Sequence, residues 1–221
     1  MNPRDTNTRT TRVLTLVGAA AVVCFFIGLI LDHFWLRMVT KPLPVICLAL
    51  WVYRGQRGRY NTLISGGLLL SALGDILLEW GESTFLAGVI AFLFAHILYT
   101  GAFLGRTRAL KPIHAIPFAV WGILVYALLY RNLDGMTIPV AVYVIVICTM
   151  MWRAAAQVGT SIASASDEKA GALGAASFGF SDTLIALNRW YAPVPYARYF
   201  IMILYWLGQF GIALSTRRRA E

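Results

Sequence analysis

TLISGGLLLSALGDILLEW, residues 62–80, carries only two charged side chains, Asp75 and Glu79, in an otherwise lipid-soluble run. As a helix rising 1.5 Å per residue it is about 28 Å long, close to the hydrocarbon thickness of a bilayer. Runs of the same kind recur along the chain, at about Val13 to Leu31, Leu36 to Tyr53, Thr62 to Trp80, Thr84 to Leu104, Ile113 to Tyr130, Thr137 to Trp152, Ala170 to Leu187 and Tyr196 to Ser215. The 221 residues are 59% hydrophobic and 13% charged, and a soluble domain carries about 25% charged residues. With a mean hydropathy of +0.69, the composition excludes a soluble protein. The expected fold is all-α: a polytopic membrane protein of about eight transmembrane helices.

The connections between runs are too short for a soluble domain, so residues 1–221 are expected to form a single integral membrane domain. Short basic tails lie at about 1–12 and 216–221. The first run has an arginine-bearing leader, like a signal peptide, but its apolar stretch is long and no small-x-small cleavage site follows. It is read as the first transmembrane helix.

Charge orients the spans. If the N-terminus is inside, the inner segments hold Arg4, Arg9, Arg12, Arg54, Arg57, Arg59, Arg106, Arg108, Lys111, Arg153, Lys169, Arg217, Arg218 and Arg219, fourteen of the nineteen basic residues. Arg37, Lys41, Arg131, Arg189 and Arg198 fall outside. Both termini are therefore expected in the cytoplasm, with the chain in the plasma (inner) membrane. The net charge of +9 is spread in short clusters at helix ends and forms no continuous basic face, so no nucleic-acid partner is expected. Cys24, Cys47 and Cys148 lie in apolar spans without CxxC pairing or a nearby histidine, and are read as core residues.

A faint internal echo aligns GLLLSALGDILL, from Gly67, with GAASFGFSDTLI, from Gly174, placing Asp75 over Asp182. Nearly the same offset lays the fourth span over the eighth. A four-plus-four duplication would relate the halves as parallel repeats, since each holds an even number of helices.

On this topology Asp75, Asp182 and Lys41 reach a common stratum, roughly 7 to 10 Å below the outer ends of their helices. An ionisable group costs about 2.5 to 3.5 kcal/mol at the bilayer centre, so such groups face a polar interior and carry function. Two readings stand: interhelical anchors, or a reactive site. Glu79 is expected at the outer interface, solvated, with a supporting role as the alternative. Asn188 and Arg189, on the turn after Asp182, read either as an interfacial belt or as a site for a polar headgroup, because a guanidinium fork suits phosphate. His96, roughly 18 Å deep, is expected to be too deep for Asp75 and to pack, hydrogen-bonded, beside Tyr99. Pro42, Pro44, Pro117 and Pro139 fall in first turns, where a missing donor is harmless.

No GxSxG elbow, HExxH, HxxxxD box or glycine-rich phosphate loop is present. Chemistry must come from carboxylates, water and a cation, with neither cofactor nor metal expected.

TKPLPVICLALW, LLLSALGDILL, FLFAHILYTGAF and GALGAASFGFSDTLIALNRW, in that order on an eight-span chain, resemble the YhhN-like family of integral membrane lysoplasmalogenases. The likeness covers roughly residues 40 to 215. It implies an eight-helix bundle that hydrolyses the vinyl ether of lysoplasmalogens to a fatty aldehyde and glycerophosphocholine or glycerophosphoethanolamine. By the same resemblance, the family's two intramembrane aspartates correspond to Asp75 and Asp182, and its basic residue to Lys41. The family does not fix a glutamate at Glu79.

The residues suit that chemistry. Protonation of the vinyl ether β-carbon makes an oxocarbenium ion, which water captures. One carboxyl must begin protonated and the other ionised, and two acids near one another in low dielectric titrate as a pair that supplies both forms. Lys41 could hold the ionised member, and Arg189 with Asn188 the phosphate. The expected partners are a lysophospholipid and the surrounding membrane lipid. A proton-coupled carrier or a non-catalytic lipid-binding protein remains as the alternative, since paired intramembrane carboxylates serve those as well.

Overall fold

A chain in hydrocarbon must satisfy its backbone polar groups internally, which selects helices for every apolar run. The computed structural model describes residues 3–55, 57–160 and 164–217; Arg218 and Arg219 of the basic tail lie outside the described residues. The helices are α1 (Pro3–Ile30), α2 (Phe34–Thr40), α3 (Leu43–Arg54), α4 (Arg59–Trp80), α5 (Phe85–Arg106), α6 (Ile116–Leu129), α7 (Thr137–Ala156), α8 (Ala165–Trp190) and α9 (Ala197–Leu214). No strand occurs among the described residues. Among the described residues eight helical segments are long and apolar enough to cross a membrane, each within a few residues of the run read from sequence. The chain is an integral membrane protein.

The second span departs from the expectation of one continuous helix from Leu36 to Tyr53. It breaks at Lys41 and Pro42 into α2 and α3. Pro42 and Pro44 have no N–H to continue the ladder, and a proline ring inside a helix clashes with the carbonyl four residues earlier. The ladder restarts when Ile46 N donates to the Pro42 carbonyl at 3.0 Å. Lys41 thus sits at a discontinuity, with its own N–H closing the end of α2 on the Arg37 carbonyl.

Two compact units, Met1–Ala95 and His96–Glu221, divide within α5. In the first, α1 packs on α2 and α3, and a Cβ on Gly18 would rest 3.7 Å from Pro44 Cα. Ser65 of α4 donates to the Ala49 carbonyl of α3 at 3.1 Å. The Phe92 ring of α5 lies on the bare backbone of α4 at Gly74, the residue before Asp75.

In the second unit α8 and α9 pack backbone to backbone. A Cβ on Gly174 would stand 2.7 Å from the Gly208 carbonyl oxygen, and one on Gly211 would stand 2.6 Å from the Ala170 carbonyl oxygen. Small residues at such a crossing let membrane helices approach closely, where dispersion and interhelical hydrogen bonds replace the missing hydrophobic drive. Ser177 and Ser181 of α8 supply two such bonds, to the Leu204 and Ile201 carbonyls at 2.7 and 3.0 Å. Arg153 of α7 is buried with its guanidinium on the chain that leaves α5, donating to the Thr107 carbonyl at 2.6 Å and the Ala109 carbonyl at 2.9 Å. It occupies carbonyls that no continuing helix satisfies.

Candidate functional site

In the first unit the polar residues gather where α2 meets the end of α4. Leu31 and His33 close α1 by donating to the Ile27 and Gly28 carbonyls, with Asp32 between them in the left-handed region at φ 49°. That turn delivers the Asp32 carboxylate to Arg37 Nη1 at 2.8 Å. Arg37 Nε donates to Glu79 Oε1 at 2.9 Å, and Lys41 Nζ lies 3.2 Å from Glu79 Oε2. One carboxylate therefore holds two cations, one oxygen each.

This corrects the expectation of a solvated Glu79. Its side chain is only 4% exposed, because α2 folds across the end of α4 and brings Arg37 and Lys41 over it. The cost of removing that carboxylate from water is offset by two charge-assisted hydrogen bonds. Lys41, expected as the partner of an ionised aspartate, has Glu79 as its ion-pair partner. Asp75, one helical turn before Glu79, is 2% exposed, with fully buried Ser71 a turn earlier on α4.

In the second unit Asp182 lies about two-thirds of the way along α8. Its Oδ2 accepts the Tyr143 hydroxyl of α7 at 2.6 Å, and His96 Nε2 of α5 stands 3.6 Å from the same oxygen. The imidazole is wholly buried, edge-on to the Tyr143 ring at 5.4 Å between centroids and tilted on Phe178 at 4.6 Å. His96 is thus buried against Tyr143 and Phe178, where the sequence suggests packing beside Tyr99, and it faces a carboxylate that its expected depth did not place near it. Helix α8 runs on to Trp190, eight residues beyond Asp182, so Asp182 lies deeper than the sequence boundary at Leu187 implied. Tyr99, one turn beyond His96, is buried and donates to Gln209 Oε1 of α9 at 2.7 Å.

Asn188 Oδ1 accepts Val194 N at 2.9 Å and so braces the turn between α8 and α9. Arg189 is exposed and rests over the Trp190 ring at 5.6 Å. On another face of α8, Phe180, Thr183, Leu184 and Leu187 join Trp121, Leu124 and Leu204 in an open apolar groove of about 750 Å³. Asp182 is not among its lining residues.

Two residues of these constellations were not singled out from sequence for what they do here. Tyr143 is the one hydroxyl-bearing aromatic in the run VAVYVIVIC, and a lone tyrosine in an aliphatic span is a legible signal, because its hydroxyl needs a buried partner. Arg37 reads from sequence as one of the outer basic residues and, with Arg198, as the next candidate for a phosphate after Arg189; its place over α4 follows from the break at Pro42.

The model of the YhhN family matches residues 36–216. Lysoplasmalogenase TMEM86A of Bos taurus is 38% identical over 197 residues, covering 85% of this chain and 80% of the relative. Lysoplasmalogenase TMEM86B of Homo sapiens is 34% identical over 186 residues, with 83% and 76% covered. A lysoplasmalogenase of Mycobacterium bovis is 31% identical over 170 residues, with 71% and 61% covered. No solved structure matches.

Proposed function

This chain belongs to the YhhN family, and from that membership we propose that it is a lysoplasmalogenase, hydrolysing the vinyl ether of a lysoplasmalogen within the membrane. The observation that carries the reading is the 38% identity to a protein named for that activity, across most of both chains. The products are a fatty aldehyde and a glycerophospho-choline or -ethanolamine.

The reaction asks for a carboxyl that gives a proton to the β-carbon and a carboxylate that faces the oxocarbenium ion formed at the α-carbon. Water adds to that carbon and returns its proton to a carboxylate. The hemiacetal then collapses, breaking the carbon–oxygen bond and leaving the proton on the glycerol oxygen. Each proton consumed is returned, and one water is the net reactant. Asp75 and Asp182 take these two parts. Each is supported by its own surroundings: Asp75 is buried on α4, and Asp182 is oriented by the Tyr143 hydroxyl with His96 beside it. Flanking an oxocarbenium ion with an acid and a carboxylate is also how glycosidases work, a parallel of mechanism alone.

Both termini face the cytoplasm and the chain resides in the plasma membrane. The support is the excess of basic residues in the segments that this orientation leaves inside.

Detergent-solubilised protein tests the activity, since an enzyme turns over without a sealed compartment and a carrier does not. Three lipids of identical headgroup and chain are compared: the vinyl ether, the saturated ether and the ester. Fatty aldehyde should appear from the vinyl ether alone, because the saturated ether forms no stabilised cation and the ester needs an activated nucleophile and an oxyanion hole. Hydrolysis of the ester at a comparable rate would remove the two-carboxylate assignment.

A further inference from the structure

Arg37 and Lys41 have donors left over. Arg37 spends Nε on Glu79 and Nη1 on Asp32, with the Gly28 carbonyl 3.4 Å from Nη1. Lys41 spends one of its three N–H donors on Glu79. Among the described residues Arg37 Nη2 and the other two donors of Lys41 meet no hydrogen-bond acceptor. Both side chains are about nine-tenths buried. Arg37 and Lys41 share the buried Glu79 carboxylate, and the second carboxylate on Arg37, that of Asp32, is 92% exposed and in reach of water. The spare donors can take an anion that brings its own oxygens.

The geometry is that of a built site. Lys41 is held at the break between α2 and α3, where Pro42 offers no side-chain cap to the following helix. Arg37 is clamped against α1, where even a Cβ on Gly28 would come within 3.2 Å of its Cγ. A planar fork and a point charge, held by a shared carboxylate, suit a tetrahedral phosphate with two exposed oxygens.

We propose that Arg37 and Lys41 bind the phosphodiester of the lysophospholipid headgroup, with Glu79 as the positioning residue that holds the two cations together in its absence. This rests on the lysophospholipid reading above, and it differs from the sequence expectation that put the phosphate on Asn188 and Arg189. Glu79 acts as an internal competitor: the phosphate takes the free donors first and shares the cations with the carboxylate.

Binding, and not turnover, is the test, so it stands whether or not the protein hydrolyses a vinyl ether. Purified full-length protein in detergent is titrated with a saturated alkyl-ether lysophosphocholine, the matching alkylglycerol without phosphate, and inorganic phosphate. Thermal stabilisation and intrinsic tryptophan fluorescence report binding. Wild type should bind the lysophospholipid at least about tenfold more tightly than the alkylglycerol, roughly 1.4 kcal/mol for the phosphate contacts. Arg37→Gln should erase that difference without changing alkylglycerol binding, while Arg189→Ala retains it. Glu79→Gln should tighten lysophospholipid binding several-fold, an outcome that a purely structural ion cluster does not produce. If Arg37→Gln does not fold, Lys41→Gln and Glu79→Gln carry the same decision. Equal affinity for the two lipids in wild type, an unchanged difference in Arg37→Gln, or no tightening in Glu79→Gln overturns the proposal. Inorganic phosphate as tight as the lipid overturns the headgroup assignment in favour of a free-phosphate site. Absence of aldehyde from a lysoplasmalogen, with these binding differences intact, would count against the enzyme alone.

Discussion

The Tyr143 hydroxyl donates to Asp182 Oδ2 at 2.6 Å, joining α7 to α8 through one short hydrogen bond. A carboxylate held this way has one oxygen committed and its orientation set. His96 Nε2, 3.6 Å from the committed oxygen, places a second titratable group on the same side.

Tyr143→Phe removes the hydroxyl and keeps the ring that packs edge-on to His96. If Asp182 is catalytic, kcat should fall about tenfold with KM nearly unchanged, because a misoriented group costs transition-state stabilisation and not ground-state binding. Steady-state kinetics on a lysoplasmalogen in detergent separate the two constants. A rise in KM at constant kcat would show that the hydroxyl serves binding.

Asp75→Asn and Asp182→Asn should each leave a folded protein with turnover reduced at least ~10²-fold, since an amide neither donates the proton nor stabilises a cation. Aldehyde release, measured beside an elution profile matching wild type, checks both halves of the statement. Either variant retaining most of its turnover would release that aspartate from its role.

The saturated alkyl-ether lysophospholipid should inhibit competitively, with an inhibition constant near the substrate's dissociation constant. It keeps every ground-state contact and lacks only the double bond that becomes a cation. Non-competitive inhibition would mean that lipid binds away from the reacting centre.

Gly174→Ala should destabilise the protein by about 1 to 3 kcal/mol, the usual range for overpacking. The new methyl would meet backbone atoms of α9, the Gly208 carbonyl and Ile212 N, each at 2.7 Å, and backbone cannot retreat as a flexible side chain can. Gly105→Ala on α5 is the control, since its Cβ would have no neighbour within 4 Å. Thermal unfolding in a fixed detergent compares them, and equal midpoints would refute the close crossing of α8 and α9.

Arg57→Cys and Arg108→Cys place thiols at exposed positions in two connecting segments assigned to the cytoplasm. A membrane-impermeant maleimide should label them only after the membrane is opened. Labelling in intact cells would invert the topology.

Sequence alone determined the eight spans, because a hydrocarbon solvent leaves the backbone one way to satisfy itself and the length of an apolar run reports that directly. It also picked out Asp75 and Asp182 as charges that hydrocarbon penalises. Which groups surround those charges was decided only in three dimensions. Depth counted from a helix end inherits the error of that end, and it says nothing of how neighbouring helices slide or tilt against one another, so the contact of His96 with Asp182 could not be read from it. Partners on different helices have no fixed spacing along the chain: Tyr143 meets Asp182 across 39 residues and Arg37 meets Glu79 across 42. Pro42 and Pro44 were visible in the sequence as missing donors, but the consequence of the break, that α2 folds across the end of α4 and buries Glu79 under two cations, depends on the direction the chain takes after the ladder is lost, and only packing sets that direction.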